Sequence, residues 1–450
     1  MDRGSSAGMG STGTFGRIAA GVSWLFILVP AALPYLYVRA FGVNVVFADA
    51  WEMVPVFRKW FHNQLTFADL YAQHVEHRIF FPRVAELALG ILTRYNNVAE
   101  MYVIVTCFLI TGFVLLVAFR REVGLPLVFF VPIALLVFSF RQYQNMLWGF
   151  QISFAFTQTF GVVALYFLYA SSRNDTKKLA LAAALGSATV ASFSTAQGLL
   201  VWPAGLVQLL LGSALMSGKR VLLGIWGIVG IAEWVAYFVG YRTPEGHPPL
   251  LYAMGHIGKS AEYFLTLLGS ALFWQEGQAY AGGFVIGSLV LGMFLATYGR
   301  GLIREHPFWI SLLCYSLFIL ATITLGRSGI YGVGQAALSK YTTFSVLAMA
   351  SVYAMLAKMV FATRACVVRT LLLVALLGTM LFGAGISYRN GVEVGRKQEA
   401  LRERAAHVLK TYESQPDARL VATLYYPRPE TVRRRAPVLK RLGYNVFSKP

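Results

Sequence analysis

Charge is scarce in this sequence, and negative charge is the scarcer sign. Only 13% of the 450 residues are Asp, Glu, Lys or Arg, where a soluble domain carries about 25%. With 57% hydrophobic residues and a mean hydropathy of +0.59, that shortfall excludes a water-soluble globule: the whole chain is built for lipid. The 20 Asp and Glu against 39 Lys and Arg leave a formal charge of +19. Many of the cations sit in short clusters between apolar runs, as the positive-inside rule requires, which argues against nucleic acid as a partner. The three cysteines, Cys107, Cys314 and Cys366, lie in or at the ends of apolar runs. They make neither a disulfide framework nor a Cys-x-x-Cys pair and read as small buried side chains. Internal repeats and a large soluble domain are also lacking.

What is abundant is long apolar sequence. A membrane-crossing helix needs about 20 mostly apolar residues. Eleven such runs occur, near 18–40, 99–119, 125–140, 151–171, 178–193, 199–216, 221–240, 280–298, 308–326, 341–360 and 369–388. They are continuous rather than alternating, and only helices or closed barrels satisfy the backbone in lipid. The expected fold is therefore an all-α polytopic membrane protein of about eleven transmembrane helices over residues 17–388. Residues 1–16 are Gly/Ser/Thr-rich and read as a disordered cytoplasmic N-terminus. The first run is long for a signal peptide, and no small-residue cleavage site follows it.

Cations set the topology. Arg120-Arg121, Arg173 with Lys177-Lys178, Lys219-Arg220, Arg300 with Arg304, and Lys358 to Arg369 (including Arg364) fall in alternate loops, which are therefore cytoplasmic. The N-terminus is inside and the C-terminus periplasmic. Residues 259–275 are apolar enough to span but would invert that pattern, so they are expected to be re-entrant or surface-lying. The pattern Asn174-Asp175-Thr176 falls on the cytoplasmic side and carries no glycosylation argument.

The opposite loops differ in kind. The first, residues 41–98, is long and polar with interleaved aromatics. It predicts an interfacial amphipathic helix over 51–63 and a second helix over about 78–94, with Pro82 early in it. The basic segment 389–450 predicts a helix over 391–410, a strand over 420–425, a basic helix over 429–442 and a short strand over 444–447, a small α/β piece.

Five constellations could carry chemistry. Asp49, flanked by Phe47, Ala48, Ala50 and Trp51, is not a generic polar turn, and it suits a general base that takes a proton from a hydroxyl. Glu52 either shares that face or does not. In Gln73-His74-Val75-Glu76-His77-Arg78, two His and an acid fall short of the four ligands of a structural zinc site. An anion site built on the Arg78 fork, with His77 donating beside it, is the better reading. Arg141 precedes Gln144, Asn145, Trp148 and Gln151. Amides for the rim and an indole for the face of a ring suit a sugar. Gln197 and Trp202 lie at a helix entry loosened by Gly198 and Pro203. Finally, the Gly-rich stretch from Gly326 lets amides approach a phosphate, with Arg327 and Lys340 at its ends and Gln335 and Tyr341 beside them. The phosphate-loop signature GxxxxGK[ST] is absent. An acid, several cations, amides and aromatics on one membrane face fit sugar–phosphate cleavage, whose transition state resembles an oxocarbenium ion and needs positive charge on the departing phosphate.

On these residues the chain resembles the GT-C superfamily, polytopic glycosyltransferases that use polyprenyl-phosphate sugars. The resemblance rests on Asp49 in Phe-Ala-Asp-Ala-Trp-Glu within a long first external loop. The bacterial branch also shares His-Val-Glu-His-Arg, Gln-Asn-Met-Leu-Trp-Gly-Phe-Gln, Ser-Thr-Ala-Gln-Gly-Leu, and Gly-Arg followed by Gln-Ala-Ala-Leu-Ser-Lys-Tyr. It implies inverting transfer at the external face without a nucleotide. The second acid that some members carry is missing from 141–151, and Glu245 and Glu276 are substitutes without supporting context. Whether a divalent cation takes part stays open, and no other cofactor is implied.

The expected protein is a bacterial inner-membrane glycosyltransferase. It would move sugar from a polyprenyl-phosphate donor to an envelope glycan or glycolipid. Asp49 is the base, with Glu52 as its possible partner. His77, Arg78, Arg141, Arg327 and Lys340 are assigned to the donor phosphate. Glu76, Gln144, Asn145, Trp148, Gln151, Gln197, Trp202, Gln335 and Tyr341 are assigned to sugar and acceptor. A flippase or transporter of lipid-linked glycans is a rival, although few charges apart from Glu233 lie within spans. A glycan polymerase and a non-catalytic scaffold are the others.

Overall fold

The computed structural model describes residues 14–172, 177–211, 219–244, 252–298, 305–362, 366–426 and 428–448. Residues 1–13 of the N-terminal segment, the Asn174-Asp175-Thr176 pattern, Glu245 and the cations Arg173, Arg300, Arg304 and Arg364 lie outside them.

Among the described residues the fold is helical, apart from one two-stranded hairpin, Gln73–His74 with His77–Arg78. Each apolar run carries helix. Among the described residues, eight helical segments are long and apolar enough to cross a membrane, from Gly21–Phe41 to Ser339–Phe361, and Lys178–Ser192 and Ala196–Leu211 are shorter apolar helices. The chain is an all-α multi-pass membrane protein. Ile104, Phe108, Leu165, Leu312, Phe344 and Val346 form part of a fully buried core. Leu25, Leu28, Ile228, Ile231, Val235 and Phe284 point outward. In water such exposure would be a liability; against hydrocarbon it is the expected outer face.

The run near 125–140 is not one helix. It breaks into Leu127–Phe130, Val131–Val137, Phe140–Gln142 and Tyr143–Met146. Ser139 marks the main break, its hydroxyl capping the Arg141 amide. The ambiguous segment forms the helix Ile257–Gly269. Thirteen residues reach about 20 Å, short of the about 30 Å hydrocarbon layer. It turns back against Glu276–Tyr298 so closely that a Cβ at Gly283 would stand 1.8 Å from the Leu265 carbonyl oxygen.

The helix Cys366–Lys410 runs 45 residues without interruption, about 68 Å, so the boundary expected at 388/389 falls inside it. Gly391 and Gly395 let it cross close to Phe140 and to Tyr37 and Phe41, and Tyr37 donates to the Gly391 carbonyl at 2.7 Å. Beyond it the expected strands are absent. Asp417–Leu424 is a helix and Asn445–Phe447 a single 3-10 turn, so the tail is helical rather than α/β. Leu420 and Leu424, four apart, both bury, which is helical spacing, and no neighbouring strand offers an edge.

The tail shares one core with the first loop. Trp51, Val54, Phe57 and Leu87 pack with Ala405, Leu409, Leu420, Leu424, Val432 and Leu439. The helix Met53–Phe61 matches the expected amphipathic segment, but its apolar face meets protein rather than the bilayer. Asn445 latches the two segments. Its amide oxygen accepts from the Val46 N–H at 3.0 Å, and its amide nitrogen donates to Asn44, Tyr95 and Asn97.

Candidate active site

At one end of the bundle, helix ends and the first loop enclose a cavity of about 90 Å³. Asp49 enters it from the 3-10 turn Ala48–Glu52, which follows the first helix by a short extended link. Ala48 adopts φ +49, a region costly for a residue with a Cβ, and this kink starts the turn that carries Asp49. Among the described residues the Asp49 carboxylate has no hydrogen-bond or ion-pair partner.

The hairpin supplies the facing wall. His74 pairs with His77 in register, which puts both side chains on one side of it. The Ala196 N–H donates to His77 Nδ1 at 3.2 Å, leaving the proton on Nε2, 3.5 Å from Glu76 Oε1. Burial pushes the His77 pKa down to about 4 against the pull of Glu76, so the ring is neutral at pH 7. Burial also lowers His74, which Asp49 opposes. Glu76 in turn binds the Arg327 guanidinium.

Lys340 opens the helix Ser339–Phe361 and Arg327 closes Pro307–Arg327, so both cations arrive from helix ends. Lys340 Nζ lies 5.1 Å from the Tyr341 ring centroid and has no ion pair among the described residues. Gln151 and Gln197 reach in from the starts of two other helical segments. The Oε1 of each is buried without a partner, which costs free energy unless something donates to it. Trp148 forms one wall, held by its Nε1–H to the Phe47 carbonyl at 3.3 Å.

Nine of the sixteen anticipated residues meet here: Asp49, Glu76, His77, Trp148, Gln151, Gln197, Arg327, Lys340 and Tyr341. The other seven do not line the cavity. Glu52 faces the tail, where Arg435 binds it at 2.8 Å and Tyr426 donates at 2.6 Å. Burial pushes that carboxyl up, but Arg435 and Tyr426 outweigh it and hold it below its usual range. Arg78 donates to the carbonyls of Tyr237, Val239 and Tyr71, clamping the hairpin to a helix end. Arg141, 2% exposed, donates to the carbonyls of Phe273 and Ala337 and stacks on Trp274. Gln144 accepts from the Lys340 backbone N–H, and Asn145 donates to the Lys340 carbonyl and Thr343. Trp202 is a core residue bonded to Ser192 and Glu233. Gln335 accepts from Tyr263. Glu276 faces Gly334 rather than the cavity.

His74, Phe150, Ser153, Phe154 and Ile323 also line the cavity and were not among the anticipated residues. His74 was legible only if Val75-Glu76 had been read as a hairpin turn. Val75 takes φ +49, where a β-branched residue is an outlier. No three or more His, Cys, Asp or Glu side chains group to hold a metal among the described residues. A larger apolar cavity of about 430 Å³ lies at the other end of Pro307–Arg327, where His306 is its only ionisable residue besides Cys314.

No family model matches the chain, and no curated protein matches it in sequence. In structure it is similar to the Archaeoglobus fulgidus oligosaccharyltransferase, at 14% identity and a TM-score of 0.38. The match covers 82% of this chain and 52% of that one, so the chain spans about half the length of that protein. A likeness of that size bears on neither site nor activity.

Proposed function

We propose that this protein is a bacterial inner-membrane glycosyltransferase. It transfers a sugar from a polyprenyl-phosphate donor to an envelope glycan or glycolipid at the periplasmic face. One observation carries the reading: among the described residues, a single cavity holds a carboxylate without a partner, an ammonium without an ion pair and two buried amide oxygens without donors. Asp49 takes the proton from the acceptor hydroxyl, whose oxygen forms the new bond to the anomeric carbon as the bond to the phosphate oxygen breaks. The acceptor oxygen enters opposite the departing phosphate, so configuration inverts. Lys340, with Arg327 behind it, receives the charge on the departing phosphate, a role that strengthens as the bond breaks. Gln151 and Gln197 accept from sugar hydroxyls, and Trp148 offers a stacking face. Eleven spans, a cytoplasmic N-terminus and a periplasmic tail complete the arrangement.

The test is incubation of purified protein with a panel of polyprenyl-phosphate sugars, following donor consumption, with Asp49→Asn beside it. Slow hydrolysis or transfer by wild type that vanishes in the variant is expected. No consumption of any bound donor would favour a flippase, and ladders of product would favour a polymerase.

A further inference from the structure

A second cavity, of about 450 Å³, lies between the long C-terminal helix, the Asp417–Leu424 helix and the first loop. Arg402, Arg404 and Arg419 line it, and no carboxylate does. None of the three has an ion pair among the described residues. Arg404 and Arg419 are exposed, but Arg402 is 8% exposed, and one of its terminal guanidinium nitrogens is buried without a hydrogen-bond partner. Burial lowers its pKa to about 9. A buried guanidinium with an unused donor, in the wall of a cavity lined by two further cations, is costly without an anion, and its fork suits one.

The position matters as much as the charge. Arg402 stacks on Phe47, 3.3 Å from the ring centroid, and Tyr425 stacks on the same ring at 5.7 Å. Phe47 also meets Trp148, edge-on at 6.2 Å, and Trp148 lines the Asp49 cavity. This aromatic pair therefore links the linings of the two cavities. Phe47 also lies two residues before Asp49 in the chain.

We infer that the arginine cavity binds a phosphate ester on the acceptor, so that the acceptor is an anionic glycan or lipid held with its hydroxyl toward Asp49. This rests on the transferase reading for the word acceptor, while the anion site stands on its own geometry. A forked guanidinium takes two phosphate oxygens at once, Arg404 and Arg419 add charge at the rim, and Tyr425 with Phe47 covers the adjoining sugar or glycerol. The tail then has a task that its basic composition alone did not define.

The experiment measures binding without donor, on full-length protein in nanodiscs of phosphatidylcholine. Glucose 1-phosphate is titrated by calorimetry, with glucose as the neutral control. In a second arm, phosphatidylglycerol is doped into the disc and its retention read by native mass spectrometry. Both arms use wild type, Arg402→Gln and the double variant Arg404→Gln/Arg419→Gln. The double variant touches only exposed side chains, so it answers even where loss of Arg402 loosens the tail. Expected is binding of at least one phosphate probe and none of glucose, weakened at least tenfold by Arg402→Gln and severalfold by the double variant. Sugar phosphate alone identifies a soluble glycan phosphate, and phosphatidylglycerol alone a lipid headgroup. Equal affinity across all three proteins, or no binding in either arm, overturns the inference. Donor consumption plays no part in this readout, so absent donor chemistry would remove the transferase reading and leave the anion site standing.

Discussion

Arg141 and Lys340 lie at the same end of the bundle, and both are cations beside a helix start. Around Arg141 the protein closes in: two carbonyls accept from the guanidinium and Trp274 covers it. Around Lys340 it stays open, with an ammonium facing a cavity that also holds Asp49. Arg141 ties the 139–145 segment to the 337–339 segment, and Ser339 returns a hydrogen bond to the Arg141 carbonyl at 2.7 Å. That strut presents the very next residue, Lys340. Two neighbouring cations thus divide the labour: a closed one builds the junction, and an open one is left for a ligand. The two carry the same charge, and what separates them is what each touches: carbonyls around Arg141, a cavity in front of Lys340.

The sharpest way to test the open region is Asp49→Asn. It keeps the shape and removes the base, and a fall of about 10³-fold in transfer is expected, with the thermal unfolding midpoint unchanged. Next comes the contrast itself. Arg141→Gln should cost about 3 kcal/mol of stability, because buried carbonyls lose their donor, and thermal unfolding would show it. Lys340→Gln should leave the midpoint in place and lower transfer about 10²-fold. A reversal of those two phenotypes would break the division of labour proposed for this junction.

The hairpin gives a pH signature of the wall. His77 has a folded pKa of about 4 against about 6.5 when unfolded. Between those values the unfolded state holds more protons, so stability rises with pH there. Acidification from pH 6.5 through 4 should therefore remove up to about 3 kcal/mol. His77→Asn retains an acceptor for the Ala196 N–H and should flatten that part of the curve, as read by unfolding midpoints across pH. The smallest effect concerns the Asn445 latch between the tail and the first loop. Asn445→Ala should weaken the tail by about 2 kcal/mol, seen as faster proteolysis of residues 411–448.

Much of this architecture was legible because apolar runs of membrane length have few alternatives. The helix positions, the loop helices near 53–61 and 80–93, and the short helix at 257–269 follow from hydropathy, spacing and Pro82. The site was legible in part. Short motifs brought Asp49, Glu76, His77, Trp148, Gln151, Gln197, Arg327, Lys340 and Tyr341 to attention, and these nine line one cavity. Arg78 and Arg141 looked equally suited to phosphate. Their partners are backbone carbonyls, and a carbonyl's position leaves no mark in residue identity. The tail misled for a related reason. Leu-Val-Ala-Thr-Leu-Tyr reads as strand by composition, but a strand needs a neighbour's edge, and among the described residues no strand lies against it.

By itself, then, the sequence determined that this chain lives in a membrane as helices, and which loops gather unusual polar residues. Lipid leaves the backbone no other way to bond itself. Only the tertiary structure decided which of those polar residues are already satisfied and which face a cavity. It also decided that the C-terminal helix runs on to join the first loop, with Arg402 and Phe47 meeting between them. Satisfaction is a property of pairs distant in the chain, such as Arg327 with Glu76 or Glu52 with Arg435, and packing fixes those pairs.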